Sequence, residues 1–225
     1  MATPQVEQQS TSSARGVVVD GLRKLKLAAL LQIIAAILAG VSAIMLLELL
    51  GSLLFPVPGH RAIGFRIIAI AGIWWIALAV VALILAIVSI YLYLLPSAKR
   101  FASWRSEEFS TPSQLMGIGY LWGAIMLLIA LLIVVVGAVS LTSEIILGGA
   151  VLVIVGGILL LIGWIGNLIY FFRLRDAFNS TLFLVAAILL IISIFVPILG
   201  FIAWILTYIE ADSLEKKIAT EKPAL

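Results

Sequence analysis

The sequence predicts an all-α protein, a polytopic transmembrane bundle of about five helices with a disordered N-terminal tail. Hydrophobic residues make up 64% of the chain and charged residues 11%, whereas soluble domains contain roughly 45–50% and about 25%. Five apolar stretches exceed the roughly 20 residues that a helix needs to cross the hydrocarbon core. Because a lipid-facing surface can be as apolar as a packed interior, we expect an integral membrane protein. An even count of four or six helices is the alternative.

The N-terminal segment, residues 1–20, is predicted to be a disordered polar tail. It begins with Gln, Glu, Ser and Thr residues that have no hydrophobic periodicity, so it buries too little apolar surface to offset the entropy of ordering. The helical domain follows at residues 21–212, and a short charged tail at 213–225. Its first helix, 27–55, comes after Arg23, Lys24 and Lys26. This apolar run is too long for a signal peptide, which predicts a membrane anchor.

Prolines set the next boundaries. Pro56, Pro58 and Gly59 interrupt the first apolar run and predict a tight connection. The second helix is placed at 63–95 because Pro96 follows it. The third is placed at 112–141, since Thr111 to Gln114 has the order of a capping box with proline at the first helical position.

The fourth and fifth helices are placed at 145–172 and 182–209. Only Thr142, Ser143 and Glu144 separate the third and fourth helices, so one long broken helix is the alternative there. Pro197 lies within the fifth run, where it removes a backbone donor and predicts a kink. Each of these runs is long enough to tilt across the membrane.

The segment between the second and third helices has an apolar face. Ala98, Phe101, Trp104 and Phe109 fall near one side of a helix, with basic residues opposite. Such a helix lies on lipid headgroups; a plain solvated loop is an equal alternative.

The distribution of lysine and arginine predicts the orientation. The N-terminal tail and the second and fourth loops carry more of these residues than the opposite side, and cytoplasmic loops are enriched in them. This predicts a multi-pass protein of the cell membrane with its N-terminus cytoplasmic and its C-terminus outside. Lys216, Lys217 and Lys222 in the C-terminal tail favour the other side.

Small residues form three candidate packing seams. Backbones approach closely where small residues line up, and lipid offers no hydrophobic drive for helix association. We expect internal packing more often than contacts between copies. The candidate residues are Gly149, Gly156 and Gly163 in the fourth helix, Ala29, Ala36 and Ala43 in the first, and Gly119 and Gly123 in the third.

Intramembrane polar residues are candidate functional positions, because each costs free energy unless it is paired. Gln32 and Asn167 lie at similar depths, so we expect an amide hydrogen bond between the first and fourth helices; two independent interfacial amides are the alternative. Glu48 and Arg66 are candidates for an ion pair across the first hairpin. Alternatively, both side chains reach water.

The sequence contains no pattern typical of catalysis. It has no cysteine and a single histidine, His60, which leaves little for thiolate or metal chemistry. Its carboxylates lie mainly in tails and loops, and we find neither a convergent acid–base set nor a phosphate-binding loop. We therefore expect no enzyme, no metal and no cofactor. The basic residues lie beside apolar segments, where anionic headgroups attract them, so the predicted partner is the lipid bilayer, not nucleic acid.

Three segments resemble an uncharacterised family of multi-pass membrane proteins from thermophilic archaea. They are Gly21-Leu-Arg-Lys-Leu-Lys26, Ile162-Gly-Trp-Ile-Gly-Asn-Leu-Ile-Tyr170 and Pro197-Ile-Leu-Gly-Phe-Ile-Ala-Trp204. The resemblance covers most of the chain after the tail and implies no substrate, cofactor or catalytic residue.

Two functions follow from these patterns. The first is a non-enzymatic membrane protein that works through packing, as a homo-oligomer or as an accessory subunit of a larger membrane complex. The second is a small transporter or channel, with Glu48 near one mouth of a path lined by Gln32, Ser89, Ser140 and Asn167. An intramembrane enzyme is the third and least favoured function.

Overall fold

The computed structural model describes residues 4–54, 63–140 and 142–220, and the side chains of 13–48, 51, 74–137, 139, 140 and 142–220. The described residues are almost entirely helical and contain no strand. Seven α-helices and one π-helical turn follow one another: α1 Pro4–Leu54, α2 Ile63–Val88, the π-turn Ser89–Leu94, α3 Leu95–Trp104, α4 Ser106–Ser140, α5 Ser143–Phe178, α6 Thr181–Ile192 and α7 Pro197–Thr220.

Five helical segments are long and apolar enough to cross a membrane, as the sequence predicts. They are Ser13–Glu48, Trp74–Trp104, Ser106–Gly137, Ser143–Phe178 and Pro197–Thr220. The all-α transmembrane fold class is therefore confirmed. The third and fourth predicted helices are separate, since Thr142 is extended between α4 and α5.

Helix α1 starts well before the predicted first residue, 27. It begins at Pro4 and so occupies most of the segment for which the sequence predicts a polar tail. The physical reason is tertiary packing: Val18 and Leu22 are buried in the core, and Arg15 donates a hydrogen bond of 2.6 Å to the carbonyl of Ile218 in α7. Contacts of this kind override weak local preferences.

The second predicted helix does not end at Pro96. The helix continues through the π-turn, where the N–H of Leu95 bonds to the carbonyl of Ile90, and Pro96 occupies the first turn of α3. A proline at this place is tolerated because the wider π-turn accommodates its ring and its missing N–H. Consequently the segment expected to lie on headgroups is part of the fold: Ala98 and Phe101 are fully buried.

The third and fourth predicted helices are longer than expected. Helix α4 begins at Ser106, so the predicted capping box at Thr111 to Gln114 is not a helix start. Glu107 and Glu108 in its first turn stabilise the positive end of the helix dipole, and Phe109 is buried against Phe101, with ring centroids 5.4 Å apart.

The fifth predicted helix, 182–209, is broken and reverses direction. Helix α6 ends at Ile192, and α7 begins at Pro197. The ring of Phe171 in α5 lies 6.3 Å from that of Phe183 in α6 and 5.9 Å from that of Trp204 in α7. In a straight helix those two residues would be about 31 Å apart. Pro197 therefore accompanies a reversal of the chain and not merely a kink.

The turn between α6 and α7 exposes apolar side chains. Phe195 is 83% exposed, and Ile194 and Ile198 are exposed with it. An apolar turn is stable in hydrocarbon but not in water. Helix α6, with 12 residues, is about 18 Å long, shorter than the roughly 30 Å of the hydrocarbon core. The two helices thus form a hairpin that enters the bundle and returns to the same end.

This hairpin corrects the prediction that the two termini lie on opposite sides. Lys26 in α1 pairs with Asp212 in α7 at 3.1 Å and also with Glu215, which brings the start of α1 to the end of α7. Every lysine and arginine whose side chain is described lies at this end, which we call the basic end: Arg15, Arg23, Lys24, Lys26, Lys99, Arg100, Arg105, Arg173, Arg175, Lys216 and Lys217.

The core is also concentrated at the basic end, where the helices converge. Its large buried side chains are aromatic and make edge or tilted contacts with one another, an arrangement worth about 0.5–1.5 kcal/mol per pair beyond area burial. Its members come from α3, α4, α5 and α6: Phe101, Phe109, Tyr170, Phe171 and Phe183. Trp104 stacks on Phe178 at the rim, with centroids 5.9 Å apart.

The hairpin predicts that both termini are accessible from one side of the membrane. Because the chain has no cysteine, single cysteines at exposed Ser13, Thr220 and Ser143 report without background. We expect a membrane-impermeant maleimide to label Ser13→Cys and Thr220→Cys under the same condition, and Ser143→Cys under the opposite one. Labelling of positions 13 and 220 from different sides would show that the fifth apolar segment crosses the membrane.

Candidate functional site

The glycine seam of α5 lies against α4. A methyl group on Gly119 would overlap the backbone nitrogen of Gly163, and one on Gly163 would lie 2.9 Å from the nitrogen of Tyr120. Further along the pair, Gly156 and Gly149 face Leu127 and Val134 at 3.0 and 2.6 Å. The two backbones are therefore in close contact along the seam, as dispersion-driven association in lipid requires.

The α4 side of the seam contains the other predicted glycine pair. A methyl group on Gly123 would lie 2.8 Å from Leu160 Cδ2, so both Gly119 and Gly123 face α5. The seam does not contact the alanine series of α1, which the sequence offers as a match. These five glycines are buried inside one hairpin and leave no free surface for a partner.

The alanine series of α1 lines an open groove. Ala36 and Ala43 belong to this groove, while Ala29 is fully buried. The groove has a volume of about 530 Å³ and lies between α1, α2 and the start of α7. Most of its walls are small residues: Ala35, Ala36, Ala39, Ser42 and Ala43 of α1, Ala79, Ala82 and Ala86 of α2, and Gly200 of α7.

The expected hydrogen bond between Gln32 and Asn167 is not formed. Gln32 Nε2 instead donates to the carbonyl of Ala86 at 3.4 Å, and Asn167 Oδ1 has no hydrogen-bond partner in the described part of the chain. The reason is the α6–α7 hairpin: α1 contacts α7, α7 contacts α6, and α6 contacts α5. The two amides are thus separated by two helices.

The remaining predicted polar residues do not converge. Glu48 is exposed on α1, and the side chain of Arg66 lies outside the described residues, as does His60. Ser89 is buried and donates to the carbonyl of Ala28 at 2.8 Å. Ser140 is exposed at the opposite end of α4 and donates to the carbonyl of Val136. These residues therefore line no common cavity.

Two buried hydroxyl groups connect α1, α3 and α5. Ser97 Oγ donates to the carbonyl of Gly21 at 2.7 Å and lies 2.8 Å from the hydroxyl of Tyr170. This arrangement satisfies polar atoms that are fully buried and fixes α3 between its neighbours. Among the described residues, no group of three or more His, Cys, Asp or Glu side chains is placed to hold a metal ion.

Sequence reasoning missed the groove for two reasons. The alanines of α1 also recur every four residues at Ala35, Ala39 and Ala43, a spacing that indicates a face for close helix approach. The contribution of α7 depends on the chain reversal, because only the reversal brings Gly200 beside α1 and α2. The first signal was readable in the sequence, and the second was not.

The seam predicts an asymmetric effect of adding a methyl group. We expect Gly119→Ala to lower the free energy of unfolding by about 1–3 kcal/mol, since the methyl group overlaps backbone. Gly157→Ala is the matched control: a methyl group there meets nothing within 4 Å, and alanine is the better helix former by about 1 kcal/mol. Thermal or denaturant unfolding in detergent measures both. Equal stability of the two variants would contradict the tight seam.

Asn167 predicts a stabilising substitution. Its side-chain oxygen is unpaired within the described residues and the residue is 2% exposed, so burying it costs about 1–3 kcal/mol. We expect Asn167→Leu, of similar volume, to raise the unfolding free energy by about 1 kcal/mol. Ser97→Ala, which removes a bonded hydroxyl, should instead lower it. A loss of stability in both variants would indicate a structural bond at Asn167.

Comparison with known proteins identifies a family but no activity. No curated protein and no solved structure matches the chain. A family described as "Protein of unknown function (DUF973)" matches residues 18–224, a range that begins at Val18, a buried residue of α1. Because this match covers nearly the whole chain, the protein belongs to the DUF973 family.

Proposed function

We propose that this protein is a non-catalytic membrane protein that works through helix packing, and that the alanine-lined groove binds a transmembrane helix of a second copy. The observation that carries the proposal is the groove itself. Its small side chains on α1 and α2 let another helix backbone approach closely, as Gly119 and Gly163 do within the α4–α5 hairpin. Unlike that seam, the groove is open and unfilled by the described residues.

A second copy is a suitable occupant because the surface is self-complementary. Helix α1 contributes both a row of alanines to the groove and a ridge of exposed Ile37, Val41 and Ile44 beside it. Under a two-fold axis, the ridge of one copy inserts into the groove of the other. An accessory role in a larger membrane complex uses the same surface with a different helix.

The same proposal includes the protein's orientation and source. All described basic side chains lie at one end of the bundle, and lysine and arginine are retained on the cytoplasmic side. We infer that the basic end, with both termini, faces the cytoplasm at the cell membrane. A thermophilic archaeal source is implied by the resemblance of the three segments given above.

Cross-linking tests the groove. We expect single cysteines at Ala36, Ala39 or Ala43 to give a covalent dimer with a short bifunctional maleimide in native membranes. A cysteine at Val151, which is exposed on α5, is the control and should not. In parallel, Ala39→Leu should fill the groove and shift the native mass in mild detergent towards the monomer, whereas Val151→Leu should leave it unchanged.

The outcomes separate the possible partners. A cross-link to a different protein, identified by mass spectrometry, would replace the second copy with a partner subunit. A monomer in native membranes, unaffected by Ala39→Leu, would exclude helix docking in this groove.

A transporter is the second candidate, and the interrupted hairpin favours it. Broken helices line substrate sites in many transporters, with helix N-termini directed at the substrate, and α7 begins with Pro197 at the groove. In that case the groove must contain water. A cysteine at Gly200 should then react with a water-soluble maleimide, whereas helix docking in the groove predicts no reaction.

A further inference from the structure

A second groove lies between α3 and α4, at the basic end of the bundle. It has a volume of about 620 Å³, within the roughly 300–1,000 Å³ of sites for small ligands. The π-turn and α3 form one wall, and the first half of α4 forms the other. Tyr91 closes the groove at its floor, where its hydroxyl donates to the carbonyl of Tyr120 at 2.5 Å.

One end of the groove is polar and positively charged. Lys99 lies on the α3 wall, and Ser110, Ser113 and Gln114 lie on the α4 wall, at spacings of three and four residues that share a helix face. Ser113 is only 7% exposed, so this is a recessed site and not a convex surface.

Lys99 differs from its basic neighbours in having no ion pair. Arg100 pairs with Asp20 at 2.8 Å, and Arg105 pairs with Glu108 at 3.3 Å. Within the described residues, by contrast, no carboxylate lies within ion-pair distance of Lys99. Its charge is therefore available to an anion in the groove.

The other end of the groove is apolar. Along α4, Gly117, Ile118 and Trp122 follow the polar residues, and about 12 Å of helix separates Gln114 from Trp122. On the opposite wall, Leu95 lies deeper than Lys99. Both walls thus change from polar to apolar in the same direction, away from the basic end.

We propose that this groove binds one anionic phospholipid of the bilayer. The headgroup phosphate lies at Lys99 and accepts hydrogen bonds from the hydroxyls of Ser110 and Ser113, and an acyl chain runs past Gly117 towards Trp122. A lysine near the membrane surface attracts an anionic lipid with about 1 kcal/mol. The adjoining apolar wall selects a lipid over a soluble phosphate.

Nanodiscs test the proposal with a defined lipid. The protein is reconstituted into phosphatidylcholine with increasing phosphatidylglycerol, and bound lipids are counted by native mass spectrometry after release. We expect Lys99→Gln to weaken phosphatidylglycerol retention about fivefold, the equivalent of one basic contact. Lys217→Gln is the matched control, since Lys217 is exposed at the same end but lies outside the groove.

A second pair of variants tests the apolar part without changing charge. A methyl group on Gly117 or on Gly157 meets nothing within 4 Å, so the helix tolerates Gly117→Leu and Gly157→Leu alike. Only Gly117 lines the groove. We expect Gly117→Leu to reduce retention of phosphatidylglycerol at least as much as Lys99→Gln, and Gly157→Leu to leave it unchanged.

Two results would overturn the proposal. Equal losses in Lys99→Gln and Lys217→Gln would mean that the whole basic end attracts anionic lipids diffusely. Displacement of the lipid by inorganic phosphate in wild type, together with normal retention in Gly117→Leu, would mean that the groove is a site for a soluble anion only.

Discussion

The fold depends on one constraint: inside the hydrocarbon, backbone N–H and C=O groups must find partners within the protein. The α6–α7 turn satisfies this constraint locally. The N–H groups of Ser193 and Phe195 bond to the carbonyls of Leu189 and Ile192 at 2.8 and 3.0 Å, and Ser193 Oγ donates to the carbonyl of Leu190 at 2.7 Å. Pro197 follows and has no N–H to satisfy. A reversal within lipid is therefore compatible with this short sequence.

The reversal determines where the stabilising contacts lie. It returns α7 to the start of α1, so that Lys26 meets Asp212 and Glu215, and the basic residues of both ends of the chain share one side. The aromatic core lies at the same end. Further from it, α4 and α5 pack mainly on each other, where close backbone contact at glycines replaces the burial of large side chains. Polar contacts and aromatic packing thus act at one end, and backbone proximity acts along the span.

Sequence reasoning found the class of the protein, its apolar segments and the residues of the seam, because each depends on composition and spacing alone. It misplaced the termini because an apolar run of 28 residues has the same composition whether it crosses the membrane or turns back within it. The pairing of Gln32 with Asn167 failed for a related reason. Distance along a helix gives the depth of a residue, but it does not give the direction that its side chain faces. That direction depends on which helices lie between.

Small residues have two different roles in this molecule, and spacing does not distinguish them. Gly119 and Gly163 lie in a seam that their own hairpin has already filled, so they stabilise the monomer. Ala39 and Ala43 have the same kind of spacing but face an opening. The difference arises because α4 and α5 are joined by a short turn and close on each other, whereas α1 and α2 meet α7 only at its first residues. A surface for another helix is therefore expected where the packing of the monomer is incomplete, and in the described residues that place is the alanine-lined groove.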